Sequence, residues 1–158
     1  MSDTTTLQID DLGVATITIN RPEVHNAFDD HLIEELSARF ESAENEDDVR
    51  LVVIAARGRT FCAGADLEWM RKSANFSKEE NIADSRKLAE ALHRLDTMSK
   101  PTLALIQGPA YGGGIGVIAA CDIAIAVRSA TFSLSEVKLG LIPAVVSPYV
   151  IGAVGARQ

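Results

Sequence analysis

Two short runs of small residues in this sequence could present bare backbone N–H groups to a ligand. One is the turn at residues 61–66, Phe-Cys-Ala-Gly-Ala-Asp, and the other is the stretch at residues 108–122, which has three consecutive glycines at 112–114. Each run is expected to lie between a strand and a helix, where free N–H groups and the helix dipole favour negative charge. A phosphate or an oxyanion would suit such a site.

The phosphate-binding patterns do not fit these glycines. A P-loop needs Gly-Lys-Ser/Thr after its glycines, whereas Ile115-Gly116 follows here. The dinucleotide fingerprint needs glycine at a sixth position that is Val117, and the Gly-x-Ser-x-Gly pattern of a nucleophile elbow is absent from the sequence. Two interpretations stay open. The glycines allow close helix–strand packing, or the amides after Gly64 and within residues 112–114 converge on one oxygen as an oxyanion hole.

Glu136 is the candidate acid or base beside such a hole. It is the only carboxylate in the apolar region that follows the glycines. Its apolar neighbours predict partial burial, which would raise its pKa toward a range useful for proton transfer; they are Phe132, Leu134, Val137 and Leu139. The alternative is a surface carboxylate that pairs with Lys138.

The elements that must position these residues alternate between strands and helices. Apolar runs and alternating patterns predict strands at 7–10, 14–20, 51–56, 102–107, 123–127 and 131–134, the first two as a hairpin at a sheet edge. Helical spacing predicts helices from Asp29 or Asp30 through Ala43, at 67–72, from the capping box at 77–80 to Pro101, at 115–120, and from Tyr149 after an N-cap at Ser147. This order predicts an α/β fold with a mostly parallel sheet.

Length and composition describe one ordinary globular domain at residues 1–158. Apolar residues make up 47% and charged residues 23%, and the formal net charge of -7 argues against a nucleic-acid or anionic-membrane surface. The sequence shows neither a membrane span nor a leader, so a cytoplasmic location is expected. Cys62 and Cys121 are predicted to be buried thiols without metal-ligand spacing, and His25 and His31 to be solvated.

At these residues the sequence resembles the enoyl-CoA hydratase/isomerase family, also called the crotonase family. The matching pieces occur in the family's order and spacing: Asn20-Arg-Pro22 with His25-Asn-Ala27, Phe61-Cys-Ala-Gly-Ala-Asp-Leu67, Gln107-Gly-Pro-Ala-Tyr-Gly-Gly-Gly114, Cys121-Asp-Ile123 and Glu136-Val-Lys-Leu-Gly-Leu-Ile-Pro143. The resemblance implies a crotonase-like ββα spiral, a coenzyme A thioester as substrate with no other cofactor and no metal, and homotrimers that pair into hexamers.

The resemblance also assigns roles to single positions. Ala65 and Gly113 fall where the family places its two oxyanion-hole amides, and Glu136 falls on the second of two glutamates used for hydration. The positions that fall along the coenzyme A and acyl-thioester site are His25, Ala27, Ala63, Asp66, Leu67, Glu68, Gly112 and Gly116.

Three departures from the family pattern leave the reaction open. The first hydratase glutamate would fall at Gly116, and Pro143-Ala-Val-Val-Ser-Pro148 replaces a glycine-rich segment. Both features resemble bacterial members assigned to methylglutaconyl-CoA hydration in leucine breakdown, whereas a single glutamate is also the pattern of enoyl-CoA isomerases. The family's C-terminal helical part is absent after Gln158, in what the pattern predicts to be mid-helix. Exposed apolar surface is therefore expected at 139–154, and a non-catalytic coenzyme A-binding or oligomerisation fragment is a third interpretation.

Overall fold

The computed structural model describes residues 3–157. Its strands are β1 (Thr5–Ile9), β2 (Val14–Ile19), β3 (Leu51–Ala56), β4 (Thr102–Ile106), β5 (Ala110–Tyr111), β6 (Ile123–Ala126) and β7 (Phe132–Ser133). Its helices are α1 (Asp30–Asn45), α2 (Leu67–Ser73), α3 (Lys78–Asp96), α4 (Gly113–Ala119) and α5 (Ser147–Val154), with 3-10 turns at Pro22–Val24 and Glu136–Leu139. The sequence pattern did not predict β5 or the two 3-10 turns, which are too short to show a period.

The main sheet has the strand order β1-β2-β3-β4-β6. β1 and β2 form the predicted antiparallel hairpin at one edge, and the pairs β2–β3, β3–β4 and β4–β6 are all parallel. β5 and β7 form a second, two-stranded parallel sheet. The prediction of a mostly parallel α/β fold is confirmed.

One apolar core lies between this sheet and the helices α1 and α3. Every position of α1 that the helical spacing assigned to the core is buried, namely Leu32, Ile33, Leu36, Phe40 and Ala43. Ile17, Ile19 and Ile54 from the sheet and Leu92 and Leu95 from α3 complete the same cluster. Burial of these side chains is the main stabilising contribution to the free energy of unfolding.

Side chains define where α1 and α3 begin. Asp29, rather than Asp30, caps α1, because its Oδ1 accepts the N–H of Leu32 at 2.8 Å. The capping box before α3 is confirmed: Ser77 Oγ accepts from Glu80 N at 3.1 Å, and Glu80 Oε2 accepts from Ser77 N at 2.7 Å. Both contacts satisfy N–H groups that an α-helix leaves free at its start.

Several predicted helix boundaries are wrong, and α4, predicted at 115–120, spans Gly113–Ala119. α3 ends at Asp96 and not at Pro101, because Thr97 closes the last turn through N–H and Oγ1 bonds to His93 O. α5 begins at Ser147, whose Oγ donates to Ala144 O at 3.2 Å instead of capping the helix. The same helix ends at Val154, before Gly155, rather than running on to the last residues. None of the helices described within residues 3–157 has the length and apolar character needed to cross a bilayer.

Candidate active site

The first small-residue turn is held at both ends by backbone hydrogen bonds. Phe28 N donates to Gly64 O and Asp66 N donates to Phe28 O, each at 2.8 Å, while Ala63 N donates to His25 O at 3.0 Å. This pairing uses the N–H groups of Ala63 and Asp66 and the carbonyl oxygen of Gly64, but not the N–H of Ala65. Within residues 3–157 no acceptor is found for the N–H of Ala65, and Ala65 itself is exposed.

Asn26 fixes the segment that runs beside this turn. It is fully buried and has a left-handed backbone with φ of 57°, a conformation that asparagine tolerates better than most residues. Its side chain accepts from Arg21 N at 2.9 Å and donates to Arg57 O and Thr60 O, both at 2.7 Å. These bonds satisfy a polar group that would be costly to bury unpaired.

Arg21 joins the starts of α1 and α2. Its guanidinium lies 2.8 Å from Asp29 Oδ2 and 3.5 Å from Asp66 Oδ2, and it donates to Ala27 O at 2.6 Å. Asp66 caps α2 by accepting from the N–H groups of Glu68 and Trp69. The charge of Asp66 is therefore used inside the protein, to fix the direction in which α2 leaves the turn.

The second turn requires glycine at its first position. Gly112 has φ of 51° and ψ of -120°, a conformation that residues with a side chain rarely adopt. A Cβ at this position would also lie 3.3 Å from Glu136 Oε1. Gly113 is the first residue of α4, so its N–H has no partner inside the helix, and among the described residues no other acceptor bonds to it.

Cys62 connects the two turns from behind. Its sulfur accepts from Gly64 N at 3.3 Å, and the N–H of Gly114 also points at it. Burial raises the pKa of this thiol to about 12, so Cys62 stays protonated and acts as a packing and hydrogen-bonding group rather than a nucleophile. The prediction of a buried thiol is confirmed at Cys62.

The sequence left two interpretations of the glycines open, close helix packing and an oxyanion hole, and different glycines fit each one. A Cβ on Gly114 would collide with the Cβ of Cys62, and one on Gly116 would lie 2.6 Å from Val146 Cγ1 and 3.0 Å from Leu92 Cδ1. Gly114 and Gly116 therefore permit close packing of α4. Gly112 and Gly113 instead line a cavity.

This cavity of about 360 Å³ brings the candidate catalytic groups together. Ala65 and Gly113, which carry the two N–H groups without acceptors, line it together with Glu136. The arrangement can therefore offer two hydrogen-bond donors and one carboxylate to the same bound molecule. Two fixed amides that face one oxygen stabilise a developing negative charge, as in an oxyanion hole.

Glu136 opens the 3-10 turn Glu136–Leu139 and is half-buried. Its Oε2 is buried without a hydrogen-bond partner, and no ion pair within residues 3–157 joins it to Lys138. The prediction that apolar neighbours bury Glu136 is wrong for three of the four, because Phe132, Val137 and Leu139 are exposed and only Leu134 is partly buried. The carboxylate is covered instead by its contact with the Gly112 turn.

The predicted substrate-binding residues separate into two groups. Those that line the cavity are Ala63, Leu67 and Gly112. Those that lie outside it are His25, Ala27, Asp66, Glu68 and Gly116. His25 is exposed, with its Nδ1 3.3 Å from Thr60 Oγ1, and Asp66 and Glu68 border a separate small pocket. Gly116 lies behind the cavity wall, covered by Val146.

Several cavity residues were not predicted. Met70 from α2, Ser85 and Leu88 from α3, and Ser135 all line it. Most of the remaining wall comes from the segment at 139–146. The helical spacing of Leu88 predicted its helix but not its cavity, and Ser85 has no feature in the sequence that marks it.

Comparisons with known proteins concern the family and the fold of the chain. Residues 10–158 match the family described as Enoyl-CoA hydratase/isomerase. A crystal structure from Legionella pneumophila subsp. pneumophila str. Philadelphia 1, assigned as an enoyl CoA hydratase/isomerase (crotonase), has a TM-score of 0.96 at 50% identity and aligns with 99% of this chain. An enoyl-CoA hydratase structure from Shewanella pealeana ATCC 700345 gives a TM-score of 0.96 at 45% identity over 98% of this chain. Enoyl-CoA hydratase AKT6-1 of Alternaria alternata is 38% identical over 88% of it.

The chain belongs to the enoyl-CoA hydratase/isomerase family and has the crotonase fold. It spans only part of its relatives: 60% of the Legionella chain, 58% of the Shewanella chain and 45% of the Alternaria protein.

Proposed function

We propose that this chain is the core of an enoyl-CoA hydratase-type lyase, which adds water across the double bond of an α,β-unsaturated acyl-CoA. The observation that supports it is the cavity shared by the free amides of Ala65 and Gly113 and by the unpartnered carboxylate of Glu136. The amides would hold the thioester oxygen while it becomes an enolate, and loss of one such donor typically costs about 3 kcal/mol of transition-state stabilisation.

In this reaction Glu136 would move the proton. The oxygen of water bonds to the β carbon while the double-bond electrons shift toward the thioester oxygen. Glu136 takes a proton from that water and delivers one to the α carbon, which regenerates the thioester. A carboxylate in this role typically contributes about 10²–10⁴ in rate.

The proposal extends to partners and location. Coenzyme A is part of the substrate, and the chemistry needs no separate cofactor. A homotrimer or hexamer in the cytoplasm is proposed as the working state. The exposed apolar side chains of Ile123 and Ile125 on the edge strand β6, which do not line the cavity, support association, because patches of this kind usually mark interfaces.

An isomerase is the second candidate. It is favoured by the packing of Gly116, since Val146 and Leu92 fill the space that a second carboxylate would need. Glu136 would then shuttle one proton between the α and γ carbons of the thioester. A third candidate is a coenzyme A-binding or oligomerisation fragment without turnover.

Isotope labelling separates the three candidates. An enoyl-CoA is incubated with the chain in D2O that contains ¹⁸O-labelled water, and the product is analysed by mass spectrometry. A hydratase places deuterium at the α carbon and ¹⁸O at the β carbon, an isomerase adds no oxygen, and a fragment binds without turnover.

The same assay tests Glu136. We expect Glu136→Gln to lose turnover by ~10²–10⁴ and to keep thioester binding, because the amide donors remain. Glu90→Gln, the same change at an exposed position of α3, is the control and should keep full turnover. Full activity of Glu136→Gln would remove Glu136 from the mechanism.

A further inference from the structure

A buried residue behind the cavity contacts both residues whose amides carry the proposed function. Phe28 is 2% exposed and does not line the cavity. Hydrogen bonds of 2.8 Å join Phe28 N to Gly64 O and Asp66 N to Phe28 O. Phe28 thereby pairs with Ala65 in an isolated parallel bridge. Its ring lies beside Gly113, where an added Cβ would come within 3.1 Å of Phe28 Cδ2. Phe28 therefore links the two turns that supply the donors.

The backbone of Phe28 fixes the direction of the Ala65 amide. The carbonyl of Gly64 and the N–H of Ala65 belong to one planar trans peptide unit, so they point in opposite directions. Because Phe28 N holds the carbonyl oxygen at 2.8 Å, the N–H on the other side of the unit cannot turn without breaking that bond. The same bond polarises the peptide unit, which makes the Ala65 N–H a stronger donor.

The ring of Phe28 fixes the place of the other donor. The peptide unit that carries the Gly113 N–H has its carbonyl oxygen on Gly112, and this oxygen accepts from Ile115 N at 3.0 Å in the first turn of α4. That bond sets the direction of the N–H within α4, but not the distance of the turn from Ala65. A Cβ on Gly113 would lie 3.1 and 3.5 Å from Phe28 Cδ2 and Cε2, so the ring fills the space beside this turn. The separation of the two donors therefore depends on one rigid side chain.

We propose that Phe28 is a positioning residue of the oxyanion hole, which sets the separation and the relative direction of the Ala65 and Gly113 amides. The proposal rests on the proposed function, because it takes these amides to hold the thioester oxygen. Phe28 acts through the donors, since it lies outside the cavity lining. Its effect belongs mainly to the transition state, where the charge on that oxygen is larger than in the bound substrate, and a misplacement of about 1 Å can cost ~10²-fold in rate.

Phe28→Leu tests the proposal, because it keeps the backbone bonds and leaves a gap beside Gly113. We expect kcat for an enoyl-CoA to fall by at least ~10-fold and KM to change by no more than ~3-fold. Phe40→Leu, the same change at a fully buried ring inside α1, is the matched control and should keep kcat. Circular dichroism checks that both variants are folded. An unchanged kcat in Phe28→Leu, or an equal fall in both variants, would overturn the inference. If Phe28→Leu does not fold, Phe28→Met replaces it, because methionine keeps most of the apolar volume without the rigid ring.

The carbonyl stretch of a bound thioester reports on the donors directly. Butyryl-CoA with ¹³C at its thioester carbonyl is saturated, so it cannot be hydrated or isomerised, and the infrared difference from the unlabelled compound isolates this one band. Binding to the unmodified chain and to Phe40→Leu should lower the frequency of the stretch, because the donors polarise the carbonyl. In the Phe28 variant about half of this lowering should be lost, as expected when one of two donors is displaced.

The two proposals fail in different ways in this experiment. The full lowering of the frequency in the Phe28 variant would overturn the inference and leave the proposed function intact. If the unmodified chain does not bind butyryl-CoA, or binds it without lowering the frequency, the proposed function fails and this inference fails with it.

Discussion

Two regions of the molecule differ in how much of their apolar side-chain surface is exposed to solvent. From β1 to the end of α4, most large apolar residues are enclosed: Ile17, Ile54 and Phe40 are all 0% exposed, although Leu12 and Leu67 are not enclosed. From β6 onward most large apolar residues are exposed, with Ile125 and Ile142 at 55% and 79%, although Val146 is buried. We call residues 5–122 the enclosed region and residues 123–155 the open region.

The active site draws on both regions, and each supplies a different kind of group. The two amide donors belong to turns that are rooted in the enclosed region, through Cys62 and the segment at 25–28. Glu136 and the cavity lining at 139–146 belong to the open region, whereas Leu67, Met70 and Leu88 of the same cavity belong to the enclosed region. The difference indicates that the geometry of the donors is fixed by a packed core, whereas Glu136 and residues 139–146 belong to a segment that is largely exposed.

The largest expected effect is on the stability of the enclosed region. Phe40→Ala removes a fully buried ring from α1 and should lower the free energy of unfolding by about 3–5 kcal/mol. Ile142→Ala in the open region should change it by no more than ~0.5 kcal/mol, because that side chain is already in water. Urea unfolding followed by circular dichroism measures both. Similar losses in the two variants would contradict the division into regions.

The next effect tests the donor that the enclosed region holds in place. Gly113→Pro removes an N–H that has no acceptor in the described structure, and proline is well tolerated at the first residue of a helix. We expect turnover of an enoyl-CoA to fall by ~100-fold while circular dichroism shows the fold intact.

Gly113→Ala is the matched control, because it adds the same Cβ, 3.1 Å from Phe28 Cδ2, and keeps the N–H. It should retain most of the turnover. A near-normal rate in the proline variant, or an equal loss in both, would remove the Gly113 amide from the mechanism.

The enclosed region was largely predictable from the sequence, since local patterns determine it. Helical spacing identified the buried face of α1, and residues 51–56 were predicted with the observed bounds of β3. Predictions failed where a few hydrogen bonds end an element. At the end of α3, the sequence signal for a helix stop is the proline at 101, whereas the helix already ends at Thr97, which bonds to its own last turn.

The site was predictable in kind but not in arrangement. The glycine pattern predicted two possible roles, close helix packing and an oxyanion hole, without saying which glycine has which role. The structure assigns them, because Gly116 packs against Val146, 30 positions further along the sequence, and Gly113 lines the cavity. The wall residues Met70 and Ser85 come from two helices whose approach depends on tertiary contacts. Neither residue type distinguishes such a position from an ordinary helix surface.

Association should respond to a single charge in the open region. β6 is an edge strand of the main sheet, so its outer backbone groups can pair with a strand of another chain. Its exposed isoleucines, Ile123 and Ile125, would be buried by such pairing. We expect the chain to be oligomeric or poorly soluble, and Ile125→Lys to weaken self-association by at least ~10-fold in light scattering. A well-behaved monomer in the unmodified chain would contradict this expectation.

The smallest expected effect compares two thiols of the enclosed region, one deep inside it and one at its end. Cys62 lies inside the enclosed region, and Cys121 lines the wide groove between α4 and α5 where the open region begins. Burial raises the pKa of both thiols from 9.0 to about 12. Because the unfolded chain ionises these thiols first, the stability that each contributes is complete below pH 9 and is lost as the pH rises toward 12. At pH 10 the loss should be about 1 kcal/mol for each thiol.

Unfolding at pH 8 and at pH 10 measures this loss in the unmodified chain, in Cys62→Ser and in Cys121→Ser. The raised pKa values of Tyr149 and Lys87 lower stability at high pH in all three proteins, so the difference between chains isolates the thiols. Each serine variant should lose about 1 kcal/mol less than the unmodified chain between the two pH values. If only Cys62→Ser does so, water reaches Cys121 in solution, and the boundary of the enclosed region lies before residue 121. An identical loss in all three proteins would show that neither thiol is held in a dry environment.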